Sequence, residues 1–232
     1  MKTIGLIGGM SWQSSLNYYR IINELVAERL GGQHSAVCIM YSVDLDPIMV
    51  YRDSGEWHKN TDILVDAIRK VESAGADFTV ICSNTMHKTY EDIKALVKKP
   101  ILHITDVLAT EAKRQGYQKV GLLGTRFTLN EDFYKERLRT LHDIDVIIPQ
   151  QEGDIQFVDD VICYELDYAI LKPESRERYK RIIEDMRQDG AEAVVLGCTE
   201  IQMLVQQKHT EVPLLDTTLL HATAAVNYAM GE

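Results

Sequence analysis

Basic charge is scarce in this chain. Its 232 residues carry 25 lysines and arginines against 35 aspartates and glutamates, a net charge of −10. Gripping a phosphate backbone takes a basic surface, so nucleic acid is excluded as a general partner. Long apolar runs are missing too: none approaches the roughly 20 residues that span a bilayer, so no membrane partner is expected. The apolar stretch in residues 1–9 is short and no small-residue cleavage site follows it; it reads as a first strand rather than a secretory signal. Cysteine is sparse, with Cys38, Cys82, Cys163 and Cys198 far apart and no CxxC spacing. That excludes a disulfide framework and a zinc knuckle and points to a reduced, cytoplasmic protein. The seven histidines form neither HxH nor HExxH, so no metal is expected. Gly5-x-x-Gly8-Gly9 is not GxGxxG and no GxxxxGK[ST] occurs, so a nucleotide cofactor is poorly supported.

What the chain does have is one short stretch written twice. Gly75-Ala76-Asp77 opens the first copy, which runs through Phe78-Thr79-Val80-Ile81 to Cys82-Ser83-Asn84-Thr85. Gly190-Ala191-Glu192 opens the second, which runs through Ala193-Val194-Val195-Leu196 to Gly197-Cys198-Thr199-Glu200. An apolar run of that length between turn signals reads as a strand buried on both faces. Aligned without gaps, Ser83 falls on Cys198. A second echo joins Gly5-Leu6-Ile7-Gly8-Gly9 to Gly121-Leu122-Leu123-Gly124-Thr125. Gly121 follows Gly5 by 116 residues and Cys198 follows Ser83 by 115, which points to a duplicated β-α unit.

Strand and helix patterns alternate along the chain. Strands are expected at residues 3–8, 36–43, 76–83, 100–104, 119–123, 145–148, 191–197 and 212–215. Helices are expected from residue 14 or 15 to 30, and at 62–73, 86–97, 106–115, 131–141, 155–171, 173–189, 198–206 and 217–230. This is an α/β protein of two similar small domains, each a parallel sheet flanked by helices, with the active site in the cleft between them. The expected division gives residues 1–98 plus 210–232 to one domain and 99–209 to the other. No Pro-, Gly- or Ser-rich linker separates them.

The chemistry should gather past the ends of the repeated strands, where open parallel sheets bind ligands. Cys198, at an expected helix start, would have its thiol pKa lowered by the helix dipole. Alternation along the strand sends Cys82 and Ser83 to opposite sides, leaving Ser83 in the position matching Cys198. Asn84-Thr85 and Thr199-Glu200 place polar groups at two helix starts, suited to an anionic ligand or to plain capping. Met10 and Ser11 end the first strand at the same edge. Arg52, in an expected loop, could clamp a carboxylate bidentately, and Lys172 could do so from the second half. His87 is a candidate general base, with Glu200 and His103 as polar neighbours. Cys38 and Cys163 read as core.

These residues resemble the aspartate/glutamate racemase family, whose members racemise amino acids without pyridoxal phosphate. The marks are Ile4-Gly5-Leu6-Ile7-Gly8-Gly9-Met10-Ser11-Trp12, Ser83-Asn84-Thr85-Met86-His87 and Gly197-Cys198-Thr199-Glu200-Ile201. The resemblance implies two facing groups, one removing the α-proton and the other returning a proton to the opposite face, with no cofactor. The late cysteine of the family matches Cys198. The early one matches Ser83, a departure that resembles the sub-type with a hydroxy residue there. The resemblance also implies that Met10, Arg52, Asn84, Thr85 and Thr199 touch the substrate, with Lys172 a weaker match. The expected partner is a small amino acid, aspartate or glutamate, and a homodimer is left open. Two other readings fit the same residues: a one-thiol decarboxylase or isomerase, and an amino-acid-binding protein without catalysis.

Overall fold

The computed structural model describes residues 1–232. The chain forms two compact units, residues 1–104 with 221–232 and residues 105–220. The first unit holds β1 (Ile4–Gly8), α1 (Trp12–Leu30), β2 (Cys38–Ser42), α2 (Leu45–Asp53), α3 (Trp57–Ser73), β3 (Phe78–Ile81), α4 (Tyr90–Lys94) and β4 (Ile101–Leu102). The second holds β5 (Lys119–Leu123), α6 (Arg126–Asn130), α7 (Asp132–His142), β6 (Asp145–Ile147), α8 (Glu152–Tyr164), α9 (Pro173–Gln188), β7 (Ala193–Leu196), α10 (Ile201–Leu204) and β8 (Leu214–Asp216). α5 (Ile104–Gln115) and α11 (Thr217–Met230) contain the two points of division.

Each unit has a four-stranded parallel sheet, and the strand orders correspond: β2-β1-β3-β4 and β6-β5-β7-β8. The duplication read from two short echoes is thus a duplication of topology. The central strands β1, β3 and β7 are buried along their whole length, as apolar runs between helical layers must be. In the first unit β1 and β3 are sandwiched. Tyr18, Ile22 and Val26 of α1 pack with Ala222, Ala225 and Val226 of α11 on one face. Leu64, Ala67, Ile68 and Val71 of α3 cover the other. Each such aliphatic side chain taken from water contributes about 1.5–3 kcal/mol. In the second unit Ile182, Ile183 and Met186 of α9 and Val158, Val161 and Ile162 of α8 form one cluster with Leu123 of β5 and Val194 and Leu196 of β7.

The repeated Gly-Ala-acid has a mechanical job. Gly75 and Gly190 follow α3 and α9 with φ of +107° and +97°, left-handed values that a residue with a Cβ resists. The acid two residues on then ties down a neighbouring strand. Asp77 Oδ2 accepts from Thr3 N at 2.7 Å, and Glu192 Oε2 accepts from Gln118 N at 2.6 Å and Lys119 N at 2.8 Å.

Several expected boundaries move. β4 pairs with β3 and β8 with β7, so residues 99–104 belong with the first sheet and 210–220 with the second, the reverse of the expected division at 98 and 209. The expected helix 86–97 is a 3-10 turn (Thr85–Thr89) followed by α4, because Thr89 Oγ1 bonds back to Met86 O at 2.8 Å. The expected helix 155–171 stops at Tyr164, and a 3-10 turn at Leu166–Tyr168 ends on Ala169 in a left-handed conformation. The loop expected after β2 contains α2, and α3 starts five residues earlier than its expected start at residue 62.

Candidate active site

In the first unit, Met10 and Ser11 follow β1 and Cys82, Ser83 and Asn84 follow β3, two strands paired in parallel through Ile7 and Ile81. Five of the expected site residues therefore gather at one sheet edge: Met10, Ser11, Ser83, Asn84 and Thr85. Ser11 also caps α1, its Oγ accepting from Ser14 N at 3.2 Å. Ser14 Oγ donates to Cys82 O at 3.0 Å, which fixes the chain just before Ser83. Cys82 is wholly buried in the core between α1 and α11, and burial pushes its thiol pKa up. Ser83 keeps 8% of its surface.

His87 is not placed as a general base for Ser83. Its Nδ1 lies 2.7 Å from Ser83 O, and its Nε2 accepts from Ile104 N at 3.3 Å. Both ring nitrogens are committed to backbone. His103 packs edge-on against His87 and Tyr90, with ring centroids 4.7 and 4.5 Å away. Arg52 lies in the last turn of α2 rather than in a loop, and its guanidinium pairs with Asp53 Oδ1 at 2.7 Å.

In the second unit, Cys198, Thr199 and Glu200 follow β7. Cys198 Sγ donates to Glu200 Oε2 at 2.9 Å, and Thr199 Oγ1 donates to the same oxygen at 2.7 Å. Because both side chains turn onto Glu200, the expected helix 198–206 shrinks to α10, a single turn beginning at Ile201. This overturns the expected lowering of the thiol pKa by a helix dipole. The Cys198 pKa stands well above the ordinary thiol value, first through burial, then through the Glu200 charge and the hydrogen bond to it. The thiol is therefore held protonated against a carboxylate that can take its proton. Sequence reasoning missed Asp167, which sits in the 3-10 turn packed near α10. Burial and the Glu200 charge raise its pKa to about 6. Nothing in the sequence marks Asp167, since the helical pattern runs through it unbroken. Lys172 precedes α9 and pairs with Glu165 Oε1 at 3.1 Å, while Ser175 Oγ donates to Glu165 Oε2 at 2.7 Å. No three His, Cys, Asp or Glu side chains converge as a metal-holding group.

Comparison with known proteins finds relatives of the whole chain. The model of the Asp/Glu/Hydantoin racemase family matches residues 7–225. A crystal structure of a provisionally assigned Asp/Glu racemase from Yersinia pestis superposes with a TM-score of 0.93 at 44% identity, covering 99% of this chain and 100% of that one. An aspartate racemase homologue from Pyrococcus horikoshii superposes with a TM-score of 0.89 at 31% identity, covering 99% and 100%. By sequence, the broad specificity amino-acid racemase RacX of Bacillus subtilis is 22% identical over 236 residues, spanning 97% of this chain and 96% of its own length.

Proposed function

The chain belongs to the Asp/Glu/Hydantoin racemase family, and we propose that it racemises an acidic amino acid, aspartate or glutamate, by cofactor-independent proton transfer at the α-carbon. The observation that carries this reading is the 2.9 Å bond from the Cys198 thiol to Glu200. A thiol with a raised pKa is a poor base until it loses its proton, and Glu200 is placed to receive that proton. The resulting thiolate takes the α-proton of the L-enantiomer. The electron pair left at Cα delocalises into the α-carboxylate as an enolate-like species. Polar side chains and backbone N–H groups following β3 and β7 would stabilise it. Ser83 delivers the hydroxyl proton to the opposite face and is reprotonated from solvent, while Glu200 releases to solvent the proton it took from Cys198. The D-enantiomer runs the same steps in reverse, with Ser83 the weaker base.

Arg52 and Lys172 are the proposed holders of the side-chain carboxylate. Each now pairs with a neighbouring carboxylate, which substrate would have to displace. The name of the Bacillus subtilis relative says broad specificity of that protein, so neutral amino acids belong in any test. A screen of L- and D-amino acids in heavy water provides it. The reading expects deuterium at the α-position together with inversion, fastest for aspartate or glutamate. No exchange with any amino acid overturns it.

A second reading has its own support: His87 is unavailable as a base, so Cys198 stands as the one thiol of the site without an activated partner at Ser83. A one-thiol decarboxylase or isomerase would use it alone. Loss of carbon dioxide, or a product other than the enantiomer, marks that case.

A further inference from the structure

Behind Ser83 lies a group of buried rings that the proposed chemistry leaves unused: His87, His103 and His221, all at most 5% exposed, with Tyr18 fully buried beside them. Hydrogen bonds fix the tautomers of His87 and His221. Ser83 O can only accept, so His87 Nδ1 carries a proton; Ile104 N can only donate, so His87 Nε2 is bare. Leu102 O, 3.0 Å from His221 Nε2, requires a proton there, so Tyr18 OH donates to His221 Nδ1 across 2.9 Å. The result is two ties that meet along one stretch of backbone. One runs from Tyr18 of α1 through His221 of α11 to Leu102 at the end of β4, and the other from Ile104 through His87 to the Ser83 carbonyl.

We propose that His87 is a positioning residue for Ser83: its Nδ1–H fixes the Ser83 carbonyl, and so the direction of the Ser83 hydroxyl, relative to the backbone at Ile104. Ser14 secures the preceding carbonyl, at Cys82, so the two peptide oxygens flanking Cys82 and Ser83 are each held by a side chain from another element. Of the two proposed proton-transfer groups, Ser83 is the one that lacks a base, and a weak acid-base group depends most on placement. A misplacement of about 1 Å at a reacting group costs on the order of 10²-fold.

This inference rests on the racemase reading, and on Ser83 serving one face of the α-carbon. Two variants divide the two bonds of the imidazole. His87→Asn keeps a donor where Nδ1 stands, and His87→Gln keeps an acceptor where Nε2 stands. With L-substrate in heavy water, deuterium wash-in to recovered L-substrate reports the Cys198 step and inversion reports the Ser83 step. In His87→Gln, inversion should fall on the order of 10²-fold while wash-in stays within about threefold; in His87→Asn, inversion should recover to within about tenfold of wild type. A proportional loss of wash-in and inversion in both variants shows a merely structural role and overturns the proposal, as does unchanged inversion in His87→Gln. Should either variant fail to fold, nitrogen-15 spectra of the wild-type imidazole decide. The Nδ1–H tautomer at neutral pH supports the tie, and an Nε2–H tautomer or an imidazolium overturns it. Wild-type protein that neither exchanges nor inverts any amino acid overturns the racemase reading itself, and this inference falls with it.

Discussion

The Cys198 thiol is hydrogen-bonded to Glu200: it donates to the carboxylate oxygen at 2.9 Å, and the same oxygen accepts from Thr199. One carboxylate thus has two opposed effects on one thiol. Its charge makes the thiolate harder to form, and its lone pair offers the proton somewhere to go.

Glu200→Gln separates these effects. Without the charge the Cys198 pKa should fall, so alkylation of Cys198 by iodoacetamide at neutral pH should speed up. Turnover should drop nonetheless, by roughly 10²-fold or more, because the proton acceptor is gone. The pH profile of alkylation and the racemisation rate, measured on one preparation, check this; a variant slower in alkylation contradicts it.

Asp167 gives a stability prediction. Its pKa is raised to about 6, first by burial and then by the Glu200 charge, from an ordinary value of 3.8. The folded state therefore holds this proton more tightly than the unfolded chain. The associated stability is present below about pH 4 and is lost as pH rises toward 6. Asp167 is exposed at the surface, so solvent screens the effect. Asp167→Asn should raise stability at pH 7.5 relative to its effect at pH 4, by less than about 1 kcal/mol, read from urea midpoints.

His221 works in the opposite sense. Burial, helped by the neighbouring His87, lowers its pKa to about 3 from 6.5. The unfolded chain binds this proton first, so stability is present above about pH 6.5 and declines as pH falls toward 3. The slope from this group is about 1.4 kcal/mol per pH unit. His221→Gln should be less stable than wild type at pH 7.5 yet lose less between pH 6.5 and 4.5. Parallel slopes for the two proteins contradict the assignment.

Much of this was legible from the residues, for physical reasons that differ by element. The strands at Phe78–Ile81 and Ala193–Leu196 show in the sequence because burial on both faces demands unbroken apolar runs. Their turns show because Gly75 and Gly190 need positive φ. The exchange of β4 and β8 between sheets did not show: strands of two and three residues carry too little pattern to reveal which sheet they join. In the site, Cys198 and Ser83 showed through the repeat. The engagement of His87 with backbone, and the turn that brings Asp167 near Glu200, depend on tertiary contacts that local spacing does not encode. The helix dipole expected at Cys198 failed for a local reason, the competition of Cys198 and Thr199 side chains for Glu200.

Arg52→Ala tests recognition. If Arg52 leaves Asp53 to hold a substrate carboxylate, KM for aspartate and glutamate should rise about tenfold or more, while neutral amino acids change by less than about twofold. Equal losses for acidic and neutral substrates show that Arg52 does not read the side chain.

The central claim is that Cys198 moves the α-proton of an acidic L-amino acid. Proton nuclear magnetic resonance of L-glutamate and L-aspartate in heavy water, with chiral chromatography of the same samples, for wild-type protein and for Cys198→Ala, tests it most directly. The account predicts loss of the α-proton signal together with appearance of the D-enantiomer for wild type, and neither for Cys198→Ala in a protein that still binds substrate. Near-wild-type exchange by Cys198→Ala, or carbon dioxide release without exchange in wild type, would contradict it.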